Sequence, residues 1–140
     1  MKNFGCTFEY EKERNEDLMR AYHEDISKCK YIHLKDVWRR ISCMPSSRFW
    51  VSEERAAIVV GKMMRGDNIA GMRPLKREMF AEIFRRVQLI QKEHTDYSIY
   101  KCTFFAVNSP APKFYMTPLS IRVTIYKIRR DWKKKKSMRV

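Results

Sequence analysis

Apolar residues recur along this chain at helical rather than strand spacing. Leu18, Tyr22 and Ile26 repeat every fourth residue, Met19 and Cys29 widen the stripe, and the other faces are charged. This pattern predicts an amphipathic helix over about Glu9–Cys29. Leu34, Val37, Trp38 and Ile41 mark a second helix, beginning near Leu34. Cys43–Val51 then contains a proline and no helical period. Ser52 follows as an N-cap, with Glu53 and Glu54 where the helix dipole favours acid. The third helix carries Ala56, Val59, Val60 and Met63 on one side and stops at Gly66.

Residues 66–74 read as a linker, broken by Gly66, Gly71 and Pro74; its Arg65-Gly66-Asp67 triplet is a chance match to an adhesion motif. After it the order repeats. A long helix over about Leu75–Glu93 presents Met79, Ile83, Val87 and Ile90, and His94, Thr95 and Asp96 form a turn with capping chemistry. A shorter helix over about Tyr97–Val107 leads into Asn108–Met116. Thr117 as N-cap with Pro118 in the first turn then starts a last helix. Ile121, Ile125, Ile128 and Trp132 are its expected core face, and it runs into Lys133–Lys136.

A shift of 65 positions lays Pro45-Ser46-Ser47-Arg48-Phe49-Trp50-Val51-Ser52 on Pro110-Ala111-Pro112-Lys113-Phe114-Tyr115-Met116-Thr117. The same shift places Leu34, Val37 and Ile41 on Ile99, Cys102 and Ala106, and Ala56, Val60 and Met63 on Ile121, Ile125 and Ile128. It also keeps Lys62 with Lys127 and Arg65 with Arg130. Only four of the 29 pairs from Val37/Cys102 to Arg65/Arg130 are identical, so the repeat rests on loop, caps and apolar phase agreeing at one offset. The repeated motif is Pro45, Arg48, Phe49 and Trp50 in the first copy and Pro110, Lys113, Phe114 and Tyr115 in the second. The proline ends a helix, and the aromatic pair can staple the loop to the helix that follows. The expected fold is therefore all-α: two tandem three-helix, helix-turn-helix-like units over residues 1–65 and 75–132, packed as one compact domain, with a basic tail at 133–140.

Charge separates the two copies. The net of +14 divides into +2 over residues 1–70 and +12 over residues 71–140. Such a surplus repels itself unless an anionic partner neutralises it; the alternative is a solvated surface with a solubilising tail. The chain opens on Met1–Phe8 followed by mixed charge, so no signal segment is expected. No apolar run has membrane-spanning length, and the four cysteines (Cys6, Cys29, Cys43, Cys102) are spread singly. A cytoplasmic protein with free thiols follows, with no membrane as partner.

Enzyme chemistry finds little support. There is no Gly-rich phosphate loop, no H-E-x-x-H and no G-x-S-x-G, and His23, His33 and His94 lack matching acids. Cys29 and His33 are four apart, and with Cys6 or Cys43 they offer zinc ligands only in principle. A non-enzyme is expected, with no metal, cofactor or small-molecule substrate.

Three helices ending in a longer basic one is the order of helix-turn-helix modules, whose last helix enters the major groove. The residues expected to bind nucleic acid are Lys113, Arg122, Lys127, Arg129, Arg130, Lys133, Lys134, Lys135 and Lys136. Lys113 and Arg48 sit at loop bends near a helix N-terminus, a place suited to phosphate or to simple solvent exposure. DNA is favoured over RNA, and a homodimer is compatible with the pattern. Glu53 and Glu54 would repel phosphate at the third helix, so the second copy is expected to bind while the first packs, dimerises or meets a protein. A connector of about nine residues stands against a standard helix-turn-helix, whose turn has about three or four. The alternative function is a protein-interaction or phage-type structural adaptor, using Phe49, Trp50, Phe114 and Tyr115 as exposed anchors.

Four segments, Tyr10–Asn15, Arg48–Ala56, Gly71–Pro74 and Pro110–Tyr115, resemble a family of short, basic, uncharacterised bacterial proteins associated with mobile elements. The resemblance spans most of the chain. It implies a bacterial, intracellular setting and brings no assigned activity.

Overall fold

A computed structural model describes residues 4–138, with side chains from Tyr10 onward; Cys6 lies outside the described side chains. Six α-helices account for the regular structure: α1 Phe4–Ser27, α2 Leu34–Ser42, α3 Glu53–Met64, α4 Pro74–Glu93, α5 Ile99–Val107 and α6 Pro118–Met138. Their starts follow local chemistry. The hydroxyls of Ser52 and Thr117 accept from the backbone N–H of Arg55 and Ser120, both at 3.1 Å. Pro74 opens α4, and Gly66 adopts a positive φ of 89° after α3, the left-handed conformation that ends helices at little cost to glycine. α5 begins later than its apolar pattern predicts. Ser98, rather than the His94–Asp96 turn, supplies its cap, accepting from the Lys101 N–H at 3.1 Å.

The helices do not pack as two consecutive triplets. α3 lies on α4 and α5, while α6 lies on α1 and α2, and among the described residues neither α1 nor α2 packs against α3. The expected units 1–65 and 75–132 therefore each donate their third helix to the other, and the second and third helices of a unit do not close on each other as in a helix-turn-helix. The reason lies in the connectors. Ten residues separate α2 from α3 and another ten separate α5 from α6, and an extended chain of that length spans roughly 30 Å. Proline keeps each connector from continuing the preceding helix.

The two connectors meet. Ser46 and Ala111, equivalent residues at the offset of 65, form an antiparallel bridge in which each backbone N–H donates to the other's carbonyl at 3.0 Å. Beyond the bridge each connector bends, with a tight turn at Trp50 and a positive φ of 58° at Tyr115, and the adjacent aromatics face different cores. Phe49 enters the core of α3, α4 and α5, with Val59, Val60, Phe80, Ile83 and Val87, while Trp50 packs against the core of α1, α2 and α6. Phe114 and Tyr115 do the reverse. Phe114 joins Leu18, Val37, Ile41, Ile121 and Ile125, and Tyr115 stacks on Phe49 with ring centroids 5.9 Å apart.

A carboxylate on the first helix of each copy ties down each connector. The Asp17 Oδ2 atom accepts from Ser47 N–H at 2.8 Å, Ser47 Oγ at 3.0 Å, Ser46 Oγ at 3.2 Å and Trp50 Nε1 at 3.3 Å. Its second oxygen accepts from Arg20, whose guanidinium also donates to the Pro45 carbonyl at 3.3 Å. The equivalent of Asp17 is Glu82, gripped by Arg85 and Arg86, and Arg86 donates to the Pro110 carbonyl at 2.6 Å. Burial works against the Asp17 charge, yet the Ser47 amide, Arg20 and the Ser47 hydroxyl outweigh it, so the carboxyl sits below its ordinary value. Hydrogen bonds from Arg85 hold Glu82 down at about 2, against partial desolvation and with further help from Arg86.

Asp17→Ala should destabilise the protein by about 3 kcal/mol in urea unfolding, since it strands the buried Ser46 hydroxyl and several part-buried donors at once. Glu82 carries a pH signature. A carboxyl whose folded pKa is depressed contributes stability that is full above its unfolded value, near 4.5, and is lost as the pH falls through its folded one. The stability difference between the protein and Glu82→Gln should accordingly shrink as the pH is lowered from about 5 toward about 2, as followed by urea unfolding at each pH.

Candidate nucleic-acid interface

α6 carries eight lysine and arginine residues against one acid, Asp131. Its first half is fixed by burial: Ile121 and Ile125 are fully buried and Ile128 is partly so. Beyond Ile128 the core ends. Every residue from Arg129 to Met138 is exposed, a helical overhang of about 15 Å at the standard rise per residue. Trp132 falls on the line of the buried stripe but is 61% exposed. Its expected place in the core is thus corrected: it joins neither apolar cluster, and the Lys136 ammonium lies over its ring, 5.1 Å from the centroid.

The expected contact residues divide by environment. Arg122, Lys127 and Lys133–Lys136 are exposed and have no carboxylate partner among the described residues. Arg130 pairs loosely with its neighbour Asp131 at 3.7 Å. The Arg129 guanidinium donates to the Tyr22 hydroxyl at 3.2 Å, fixing the root of the overhang to α1. Helical spacing aligns Arg122, Arg129, Lys133 and Lys136 on one face, and Lys127, Arg130 and Lys134 on the next. Tyr126, Arg129, Arg130, Lys133 and Lys134 border an open groove along the helix.

The loop cations are committed elsewhere. Lys113 forms a 2.6 Å ion pair with Glu78, remote from the overhang. Arg48 is bound within its own connector, donating to the carbonyls of Phe49 and Val51 and to Glu53, and lies over the Trp50 ring. Its charge is spent on folding rather than offered to a phosphate. The aromatic motif is likewise internal: Phe49 is 0% and Phe114 4% exposed, and Trp50 and Tyr115 are half-buried. These side chains are not free anchors.

Exposed aromatic surface occurs instead on α5, which the pattern of apolar positions did not single out. Tyr100, Phe104 and Phe105 are each more than 40% exposed, and Tyr97 bridges Phe105 and His94 by stacking. At the offset of 65 the corresponding α2 positions are Lys35, Arg39 and Arg40. The fold accepts polar residues there. Comparing the outer faces of the two short helices at the repeat offset was the signal that could have found this patch.

A cleft of about 470 Å³ opens between Tyr10, Trp50, the start of α3, Lys76, Phe80 and Tyr100. Burial pushes the Tyr10 hydroxyl well above its ordinary value despite Arg14 and Arg48. Among the described residues no histidine or cysteine lines this cleft. Among the described residues no three His, Cys, Asp or Glu side chains gather as metal ligands. Cys29 instead donates to the Asp25 carbonyl and accepts from Arg40. No helix among the described residues is long and apolar enough to cross a membrane.

No protein-family model, curated protein or solved structure matches the chain.

The exposure pattern sets a mutational contrast. Ile125→Ala should cost about 2–5 kcal/mol in urea unfolding. Trp132→Ala, and Phe104→Arg, which copies the residue at the equivalent α2 position, should each cost less than about 1 kcal/mol.

Proposed function

We propose that the protein binds nucleic acid without catalysis, DNA in preference to RNA, through α6 and its lysine-rich end. The observation that carries this reading is the overhang. Six cations and one acid, Arg129–Lys136, stand on an exposed helix that buries no apolar face. Like charges at i,i+3 and i,i+4 destabilise an isolated helix, so such a segment holds its form best with a polyanion to neutralise it. A helix with unpaired cations on adjacent faces suits the phosphates of a duplex groove. The sequence resemblance to short basic bacterial proteins of mobile elements fits a cytoplasmic nucleic-acid partner. On this reading the chain is one three-helix unit used twice, with third helices exchanged across the Ser46–Ala111 bridge; the core of α1, α2 and α6 supports the binding helix.

The aromatic face of α5 favours a second reading, a protein-interaction adaptor, with Tyr100, Phe104 and Phe105 in place of the buried loop aromatics. Phe104→Arg should leave nucleic-acid binding unchanged under the first reading.

The test is a salt titration of binding to random-sequence duplex DNA, with duplex RNA in parallel. Binding should be clear at low salt, weaken steeply as salt rises, and be tighter for DNA. Replacing Arg129, Arg130 and Lys133–Lys136 together by alanine should lower affinity at least a hundredfold, given the loss of several phosphate contacts. Absence of binding by the unaltered protein at low salt, or indifference to these substitutions, would end the proposal.

A further inference from the structure

The repeat and the exchanged fold together identify a second surface. Four residue pairs are identical between Val37/Cys102 and Arg65/Arg130: Pro45/Pro110, Phe49/Phe114, Lys62/Lys127 and Arg65/Arg130. The first two have structural work to do, since the prolines open the connectors and the phenylalanines fill the two cores. The other two have none. Lys62, Arg65, Lys127 and Arg130 are all exposed, and Lys62, Arg65 and Lys127 have no carboxylate partner among the described residues. The same offset pairs Ile58, 55% exposed, with Val123, 58% exposed, one turn before the cations. α3 and α6 thus present the same outward stripe, an aliphatic residue followed by two cations at spacings of four and three.

Two ordinary explanations can be weighed. Cations near a helix C-terminus are stabilised by the helix dipole, which accounts for Lys62 in the last turn of α3 and Arg65 just after it. It does not account for Lys127 and Arg130, which lie in the middle of α6, eight residues or more before its end. Solvation alone requires exposed polar residues, but not the same cations at the same two places in copies that differ at 25 of 29 pairs. A shared partner at both stripes explains the coincidence. Unpaired cations in both define that partner as polyanionic.

We infer that the outer face of α3, through Lys62 and Arg65, is a second phosphate-contacting surface, the counterpart of Lys127 and Arg130 on α6. The inference rests on the nucleic-acid reading above and revises the expected division of labour, in which only the second copy binds. Glu53 and Glu54 do not oppose it. They lie at the far end of α3, about two turns from Lys62, and Glu53 is neutralised by Arg48 at 3.1 Å.

The experiment measures binding of the full chain to random-sequence duplex DNA over a salt series. Four variants are compared: Lys62→Ala/Arg65→Ala, Lys127→Ala/Arg130→Ala, the charge-conserving Lys62→Arg/Arg65→Lys, and Lys35→Ala/Lys92→Ala as a control that removes two exposed lysines outside the stripes. Circular dichroism confirms folding of each. Each stripe variant should weaken binding about tenfold at moderate salt and flatten the log K–log salt slope by up to about 2, since each phosphate contact contributes about 0.9. The charge-conserving variant should bind as the unaltered protein does, and the control should change affinity by no more than about twofold. If Lys62→Ala/Arg65→Ala behaves like the control while Lys127→Ala/Arg130→Ala weakens binding, the α3 surface is refuted and the α6 interface stands. If the unaltered protein does not bind at low salt, both fall.

Discussion

Two connectors, joined to each other by the Ser46–Ala111 bridge, lie between two cores and belong to both. Each core takes its third helix from the opposite half of the chain, so neither closes until a connector has crossed. The crossing is secured from both sides. Phe49 and Phe114 travel with the departing helix, Trp50 and Tyr115 stay against the core just left, and Asp17 or Glu82 with its arginines holds the proline carbonyl at the start of the crossing. The backbone bridge alone is one pair of hydrogen bonds, worth about 1 kcal/mol each. The alternating aromatics give it its authority, because separating the connectors would expose two large rings from each core.

This arrangement explains which parts of the structure were legible in the sequence. The helices were, since Leu18/Tyr22, Val37/Ile41, Val60/Met63 and Ile83/Val87 repeat at helical spacing and Ser52, Thr117 and Pro118 mark starts. The repeat motif was also legible, as was its importance. Its partner was not. Periodicity reports that a helix has an apolar face and says nothing about which other face it meets, so tandem and exchanged packings share one pattern. The one discordant sign was the connector, too long for a helix-turn-helix turn; its length is what allows the exchange. Trp132 was misread for a related reason. It continues the phase of Ile121 and Ile125, but phase does not reveal how far along a helix the packed face extends.

The candidate site was legible as charge and not as availability. Arg48, Lys113 and Arg129 look alike as basic residues, yet Arg48 is bound within its loop, Lys113 is paired with Glu78, and Arg129 is tied to Tyr22. Lys127 and Lys133–Lys136 lack such partners among the described residues. The paired carboxylates of the first copy meet other cations. Those carboxylates, including Asp17, Asp25 and Glu53, answer to arginines of their own half.

The offset of 65 supplies a comparison within the chain: it sets a residue of one half beside a residue of the other at each surface position of the paired helices. Where the copies differ outside the cores, the fold is indifferent and the difference calls for another cause, as for Lys35, Arg39 and Arg40 of α2 against Tyr100, Phe104 and Phe105 of α5. Agreement outside the cores has a structural cause for Arg20 and Arg85, which grip Asp17 and Glu82, but calls for another cause for Lys62 and Arg65 of α3 against Lys127 and Arg130 of α6. Both comparisons rest on burial and exposure rather than on charge totals. Surface divergence on the short helices and surface agreement on the exchanged ones locate specialised and shared contacts on different faces. The exchange sets each shared stripe beside a short helix of the opposite half, α3 against α5 and α6 against α2, so each core carries one stripe of each kind.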